Sequence, residues 1–239
     1  MKKLVLLLLF TGVSFSALLS QKTISDPYAQ KRNVSGFHGI NVGTGIKLIL
    51  TEGTTEDVVV SADKTEHRDK IVTEVNGGIL KIYYENKFGA ANTRKEKKEL
   101  KAYVSYKTLD QLDANTGAQV TVEGTINSTS LKMRVNTGAT IQGTIKTNDL
   151  EVDQNTGSII TISGEALKII VHGDTGSMFK GIDLKTHNCS VTATTGAGVY
   201  ITVQKELTVR ANTGGFVKYK GEVTVREIKT NTGGAVSRI

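Results

Sequence analysis

The chain has 239 residues, a formal charge of +7, 25 Gly, one Pro, one Cys and no Trp. That length suits one large domain or two small ones, and the Gly, Thr and Val bias favours strands and tight turns over helices. The lone Cys189 excludes an intrachain disulfide, so stability must come from burial.

Read from the N-terminus, Lys2-Lys3, the apolar run "LVLLLLF" and the small residues of "SFSALLSQ" form a secretory signal peptide over residues 1–20. The run is too short for a membrane span, and cleavage after Ser16 or after Ser20 fits it equally well. Export is expected, to the periplasm, the outer surface or the medium. No later stretch reaches membrane-spanning length, so no transmembrane segment is expected in the mature chain. Loss of Lys2 and Lys3 leaves a formal charge of +5. The densest basic run, "TRKEKKELK" at 93–101, is interrupted by Glu96 and Glu99 and holds no aromatic residue. Nucleic acid is therefore not an expected partner.

Residues 21–35 read as an N-terminal tail and 36–239 as one β-helical domain. Its first part, 36–110, is irregular. "FHGINVGTGIKLILTEG" is a strand, a Gly turn and an alternating strand, and "IVTEVNGGILKIYY" is a hairpin-like pair about Asn76-Gly77. "GTGIKL" is Gly-rich, but it runs between strands and makes a poor phosphate loop.

Over 111–239 one triplet recurs about every 19 residues: Asn115-Thr116-Gly117, Asn136-Thr137-Gly138, Asn155-Thr156-Gly157, Asn212-Thr213-Gly214 and Asn231-Thr232-Gly233. Asp174-Thr175-Gly176 and Thr194-Thr195-Gly196 are variants of it. Such a period indicates stacked repeats. Three residues before the Asn stand Leu112, Met133, Val152, Val171, Val191, Val209 and Ile228. Five after it stand Val120, Ile141, Ile160, Phe179, Val199, Val217 and Val236. Cys189 falls in a third column with Leu131, Leu150, Ile169 and Leu207, which marks it as an inert core thiol. Apolar positions two apart are strand alternation. The intervening column of Asp113, Arg134, Asp153, His172, Thr192, Arg210 and Lys229 is polar and faces solvent.

Each rung must turn sharply, and Asn and Gly tolerate left-handed backbone. Asn115, Asn136, Asn155, Asn212 and Asn231 are thus read as structural corners, with Asn and Thr side chains bonded along the ladder. A second set of glycines, Gly124, Gly143, Gly164, Gly181 and Gly221, marks another bend. The fold class that follows is all-β: a single-stranded parallel β-helix of about seven coils, with short strands and three corners per coil. Parallel crossovers favour the right hand.

The "GIN" of Gly39-Ile40-Asn41 after Phe37, the "GGILKI" at 77–82 and the "LDQLDANTGA" leading into the repeats resemble, in that order, the bacterial family called the head GIN domain, or auto-transporter adhesin. The resemblance spans about residues 37–225. It implies exported β-helical proteins of the Bacteroidetes-type cell envelope, without an established activity. The NTG triplet departs from the Ser-Gly-like corner of many relatives.

No catalytic, metal or cofactor set stands out. His38, His67, His172 and His187 lack ligand spacing. Asp113, Arg134 and Asp153 stack on consecutive coils and come nearest to the acid–base group of a polysaccharide hydrolase or lyase. Arg134 between two aspartates favours the ionised form of both, which does not suit a general acid. The more informative column lies four residues after each Asn and points outward. With Tyr200 on the next coil, Ile159, Met178 and Phe216 form an apolar contact strip. An N-terminal segment, a second copy of the chain, or a ligand would cover it. The last coil shows no cap, and homo-oligomers through that end or the strip are expected. The reading is a non-enzymatic, cofactor-free envelope or surface protein with adhesin-like binding or scaffold function. Its partner would be a surface polymer, a glycan or a protein; the alternative is a polysaccharide-active enzyme.

Overall fold

The computed structural model describes residues 26–85 and 98–239, so the signal-peptide reading and most of the basic run at 93–101 lie outside the described residues. Stacking order and chain order differ at the N-terminal end. After β1 (Gln30–Arg32), strands β2 (Gly39–Val42) and β3 (Lys47–Glu52) make one rung about Gly43-Thr44-Gly45. The chain then leaves the stack through β4 (Asp57–Ser61), the helical turn α1 (Thr65–Arg68) and β5 (Ile71–Asn76). β6 (Ile79–Tyr84) and β7 (Lys101–Tyr106) lie parallel against β2 and β3 on one side. β8 (Gln111–Ala114) and β9 (Gln119–Val135) lie against them on the other. An early rung is thus held between two later ones. β5 and β4 pair antiparallel on β6 and β7, and β1 on β4. A three-residue edge carrying Lys31 and Arg32 closes that path, a common way of blunting a sheet edge.

Beyond β9 the chain winds regularly through β10 (Thr140–Gln154), β11 (Ile159–Gly173), β12 (Met178–Ala193) and β13 (Gly198–Ala211). β14 (Phe216–Lys220), β15 (Thr224–Thr230) and β16 (Ala235–Arg238) follow. The result is a parallel β-solenoid of about 7 turns. Val152 pairs with Val171, Val171 with Val191, Val191 with Val209 and Val209 with Ile228, so residues one repeat apart touch. The three apolar columns fill the interior, each buried aliphatic side chain contributing about 1.5–3 kcal/mol. Cys189 is buried among them, and burial pushes its thiol pKa up. On the last coil no described strand pairs with the outer edge of β15 or β16, and Val225 and Ile228 are left 43% and 42% exposed.

The corner chemistry differs from the sequence expectation. The left-handed residues are Thr and Gly, at φ of 45–53° and 66–75°, while the Asn residues keep ordinary backbone. Positive φ at both central positions marks a type I′ turn, closed by bonds such as Ala139 N–H to Asn136 O at 3.2 Å. Gly43-Thr44-Gly45 is a further copy, so among the described residues eight corners stack. What joins them is main chain. The N–H of Gly45, Gly117, Gly138, Gly157, Gly176, Gly196 and Gly214 donates to the Thr carbonyl of the following corner at 2.9–3.1 Å. Side chains add to this ladder only locally. Asn155 Oδ1 accepts the N–H of Thr156 at 2.7 Å, and Thr194 Oγ1 donates to Asp174 Oδ1 of the previous corner at 2.8 Å.

Two other expectations are revised. Each coil from β9 to β13 is one strand of 14–17 residues with a single sharp turn, in place of short strands and three corners. The remaining bends sit inside the strands as register shifts, at Gln142/Thr144, Thr161/Gly164 and Gly181/Lys185. The second glycine set also divides. Gly124, Gly164 and Gly221 have positive φ, and a Cβ on Gly164 would run into the carbonyl oxygen of Ile145. Gly143 and Gly181 have ordinary backbone and make room for the side chains of Val122 and Phe179.

These corners predict an order of substitutions in chemical denaturation. Gly138→Ala meets no atom within 4 Å and carries only the left-handed penalty, about 1–2 kcal/mol. Gly164→Ala adds a backbone collision and should cost more. Thr137→Asn replaces a β-branched residue at φ 52° by one that tolerates it, and should be neutral or stabilising. The corner at Asp174 also has a pH signature. Hydroxyls of Thr195 and Thr194 and the Thr175 N–H hold its carboxyl below the usual range. Its stabilising contribution is therefore present above the unfolded-state value and lost as pH falls through the lower folded one. Asp174→Asn, which restores the repeat's own residue, should lose less stability than the parent protein between about pH 5 and pH 2.

Candidate binding face

Alternation along β9–β14 sends one set of side chains inward and the other to solvent. The polar column is continuous: Asp113 pairs with Arg134, Arg134 with Asp153, and Asp153 with His172. Arg134 donates from Nε and Nη2 to both oxygens of the buried Asp113, at 2.9 and 2.8 Å, and this bidentate bond raises the guanidinium pKa. Lys132 Nζ lies 2.6 Å from Glu151 and 3.5 Å from Asp153. Each carboxylate of this group faces a cation, an arrangement for ion pairing. A glycosidase needs instead one carboxyl held protonated.

The histidines are dispersed. His38 Nδ1 meets Asp110 at 2.7 Å and the buried His67 meets Asp63 at 2.6 Å, while His172 and His187 lie on β11 and β12. Among the described residues no group of three or more His, Cys, Asp or Glu side chains is arranged to hold a metal ion.

The apolar strip is brought together. Ile159 pairs with Met178, Met178 with Gly198, and Gly198 with Phe216. Gly198 is where the sequence leaves the column empty, and its neighbours fill the space. A Cβ there would lie 2.8 Å from the Met178 sulfur, and would also strike the Phe216 ring. Tyr200 packs edge-to-face on Phe216, with centroids 5.8 Å apart and planes at 84°. Ile159 is 37% exposed, and Met178, Tyr200 and Phe216 are half-buried.

Beside the strip runs an open groove of about 660 Å³. Val122 and Ile162 contribute to its floor, and Met178, Ile182 and Tyr200 line one end. Thr121, Gln142, Thr144, Thr161 and Ser163 give the rest a hydroxyl and amide lining, with Lys180 and Asp183 near the apolar end. The wall at Ile182-Asp183 arises because β12 holds three more residues than β13 between paired positions. Thr202 Oγ1 fastens this outward bend by donating to the Ile182 carbonyl at 2.6 Å. The sequence reading missed Lys180, Ile182, Asp183 and Lys218 around the strip. One signal for the bend was legible: the spacing from Asp174 to Thr194 exceeds that of the next coil.

A chain of this geometry has solved relatives. A structure from Bacteroides fragilis described as a "putative adhesin" superposes with a TM-score of 0.77 at 16% identity, covering 88% of this chain and 96% of that one. A "putative adhesin" from Parabacteroides distasonis gives 0.69 at 17% identity, over 88% and 96%. A "putative lipid binding protein" from Parabacteroides distasonis gives 0.64 at 14%, over 90% and 98%. At such identities the likeness is one of fold. Comparison with curated proteins found no match. The family model described as "Putative auto-transporter adhesin, head GIN domain" matches residues 36–222, which include every corner from Thr44 to Thr213, and the chain belongs to that family.

Proposed function

We propose that this chain is an exported, non-enzymatic binding module of the cell envelope, which engages its partner through the face of β10–β14. The carrying observation is the apolar strip and its groove. Ile159, Met178, Tyr200 and Phe216 are contiguous and accessible, next to a groove within the range of ligand-binding sites. Isolated exposed apolar residues need no explanation, but a joined patch rimmed by polar groups is a usual mark of contact.

Four further points support the reading. Residues 1–20 carry a charged start, an apolar core and small residues. No helix among the described residues is long and apolar enough to cross a membrane. The family and its solved relatives are named for adhesion or, in one case, for lipid binding. The face is rigid, since every strand in it is paired on both sides from β10 to β13, and a preorganised surface loses little entropy on binding.

Two measurements test this. Fractionation and surface proteolysis of intact cells should find the mature protein outside the cytoplasm; a cytoplasmic pool of full-length chain would sink the export reading. Purified mature protein should be retained on isolated cell envelopes without releasing reducing ends from their polysaccharides. The variant with Ile159→Ser, Met178→Ser and Phe216→Ser should lose at least about tenfold in retention while keeping its strand spectrum. Equal retention of that variant would remove the strip from the mechanism.

A further inference from the structure

We infer that the groove binds an anionic glycan, a chain bearing carboxylate or sulfate groups, laid along the solenoid axis with one sugar ring against Tyr200. This rests on the binding-module reading and names the ligand of that site. The first argument is repetition. Thr121, Gln142, Thr161, Lys180, Tyr200 and Lys218 form one straight column, each paired with the next across a rung. The column presents one polar or aromatic group about every 4.8 Å. A second row, Thr144 and Ser163, runs beside it with hydroxyls 2.9 Å apart. Hydroxyls and amides both donate and accept, and bonds such as Gln142 Nε2 to Thr121 Oγ1 at 3.2 Å leave capacity unused. A linear polymer with a hydroxyl-rich repeat is the occupant that matches such a lining along its whole length.

The second argument is Tyr200. Phe216 and Lys218 approach its ring from β14, with Lys218 Nζ over the ring 5.7 Å from its centre. Met178 and Lys180 of β12 lie on the opposite side, where the groove begins. The ring therefore stands as the end wall of the groove, backed from behind, with its other face available to the apolar face of a sugar.

Charge supplies the third. Lys180 and Lys218 flank Tyr200, one rung to each side, and among the described residues neither has a carboxylate partner. One acidic group, Asp183, lines the groove against them. Lys180, which lines the groove, and Lys218, over the Tyr200 ring from β14, together favour an anionic ligand, with Asp183 opposing it. The exposed lining is more apolar than polar, so a lipid is the competing occupant, and the repeated hydroxyls with Lys180 are what favour the glycan.

The test uses the mature chain with immobilised polygalacturonate, a sulfated glycosaminoglycan, a neutral glucan and anionic phospholipid vesicles. Retention should be selective for the acidic glycans and fall with added salt. Tyr200→Ala should weaken it about three- to tenfold while Tyr200→Phe retains it, since the ring is what stacks. Lys180→Ala with Lys218→Ala should weaken it about fivefold or more. Asp183→Asn should strengthen it, and Lys168→Ala, on another part of β11, should leave it unchanged. Strip-dependent retention on neutral glucan or on vesicles alone would overturn the anionic-glycan assignment and keep the binding-module reading. Retention of acidic glycans unaffected by Tyr200 and both lysines would overturn the inference at this groove.

Discussion

The molecule depends on one repeated hydrogen bond: a glycine N–H donating to the threonine carbonyl of the corner above it. A two-residue turn with both φ positive is strained for threonine, and an isolated one would be a weak element. Stacked, each corner fixes the next. Among the described residues seven such bonds hold eight corners in line, which fixes the register of the strand stretches that flank them. A slip by one residue would turn every inward valine or isoleucine to solvent, so the turn ladder and the apolar columns enforce the same alignment.

In-register stacking changes what a neighbour is. Lys180 is far from Thr161 and Tyr200 in the chain and one strand spacing from both in space. Local sequence thus says little about the surroundings of a side chain, and the column says almost everything. The polar column becomes an ion-pair ladder because Arg134 follows Asp113, and Lys132 sits opposite Glu151. The apolar strip becomes a joined patch because Gly198 lets Met178 and Phe216 lean toward each other. Most of the solenoid surface is uniform, and the candidate site lies where two irregularities meet: a missing side chain at Gly198 and extra residues at Ile182-Asp183.

That contrast explains what was legible in the sequence. Columns of Val, Ile and Leu recurring with the triplet gave the architecture directly, since burial imposes the same demand on every coil. The turn stands at the triplet, with Gly left-handed as expected and Thr in place of Asn as the other left-handed residue. General preference points to Asn as the left-handed residue, whereas here Thr137 and its equivalents take that conformation and Asn136 supplies the carbonyl that closes the turn. Gly43-Thr44-Gly45 was read as a Gly turn but not as a copy of the repeat corner, because the rung it belongs to is inserted out of chain order between β6–β7 and β8–β9. Ile159, Met178, Tyr200 and Phe216 were readable from alternation alone. The groove was not, because Gly143, Gly164 and Gly181 and the long Asp174–Thr194 spacing mark where the register shifts fall without showing the wall they raise.

The two long faces carry opposite physical logic, and that bears on which of them meets a partner. On the ion-pair face, a ligand charge would have to displace contacts such as the bidentate Arg134–Asp113 bond, which leaves the charge of the buried carboxylate to the Gln111 amide, at a cost above about 1–3 kcal/mol. On the strip face, Lys180 and Lys218 have no carboxylate to give up among the described residues, Tyr200 is already braced by Phe216, and the apolar groups gain by leaving water. Binding there breaks no ion pair among the described residues; Lys218 need only turn from the Tyr200 ring toward the ligand's charge. A polymer lying along the axis can repeat such contacts from rung to rung, so that weak individual contacts combine once the first is made. The regularity that makes the scaffold stable is thus also what suits this face to an extended, repeating partner.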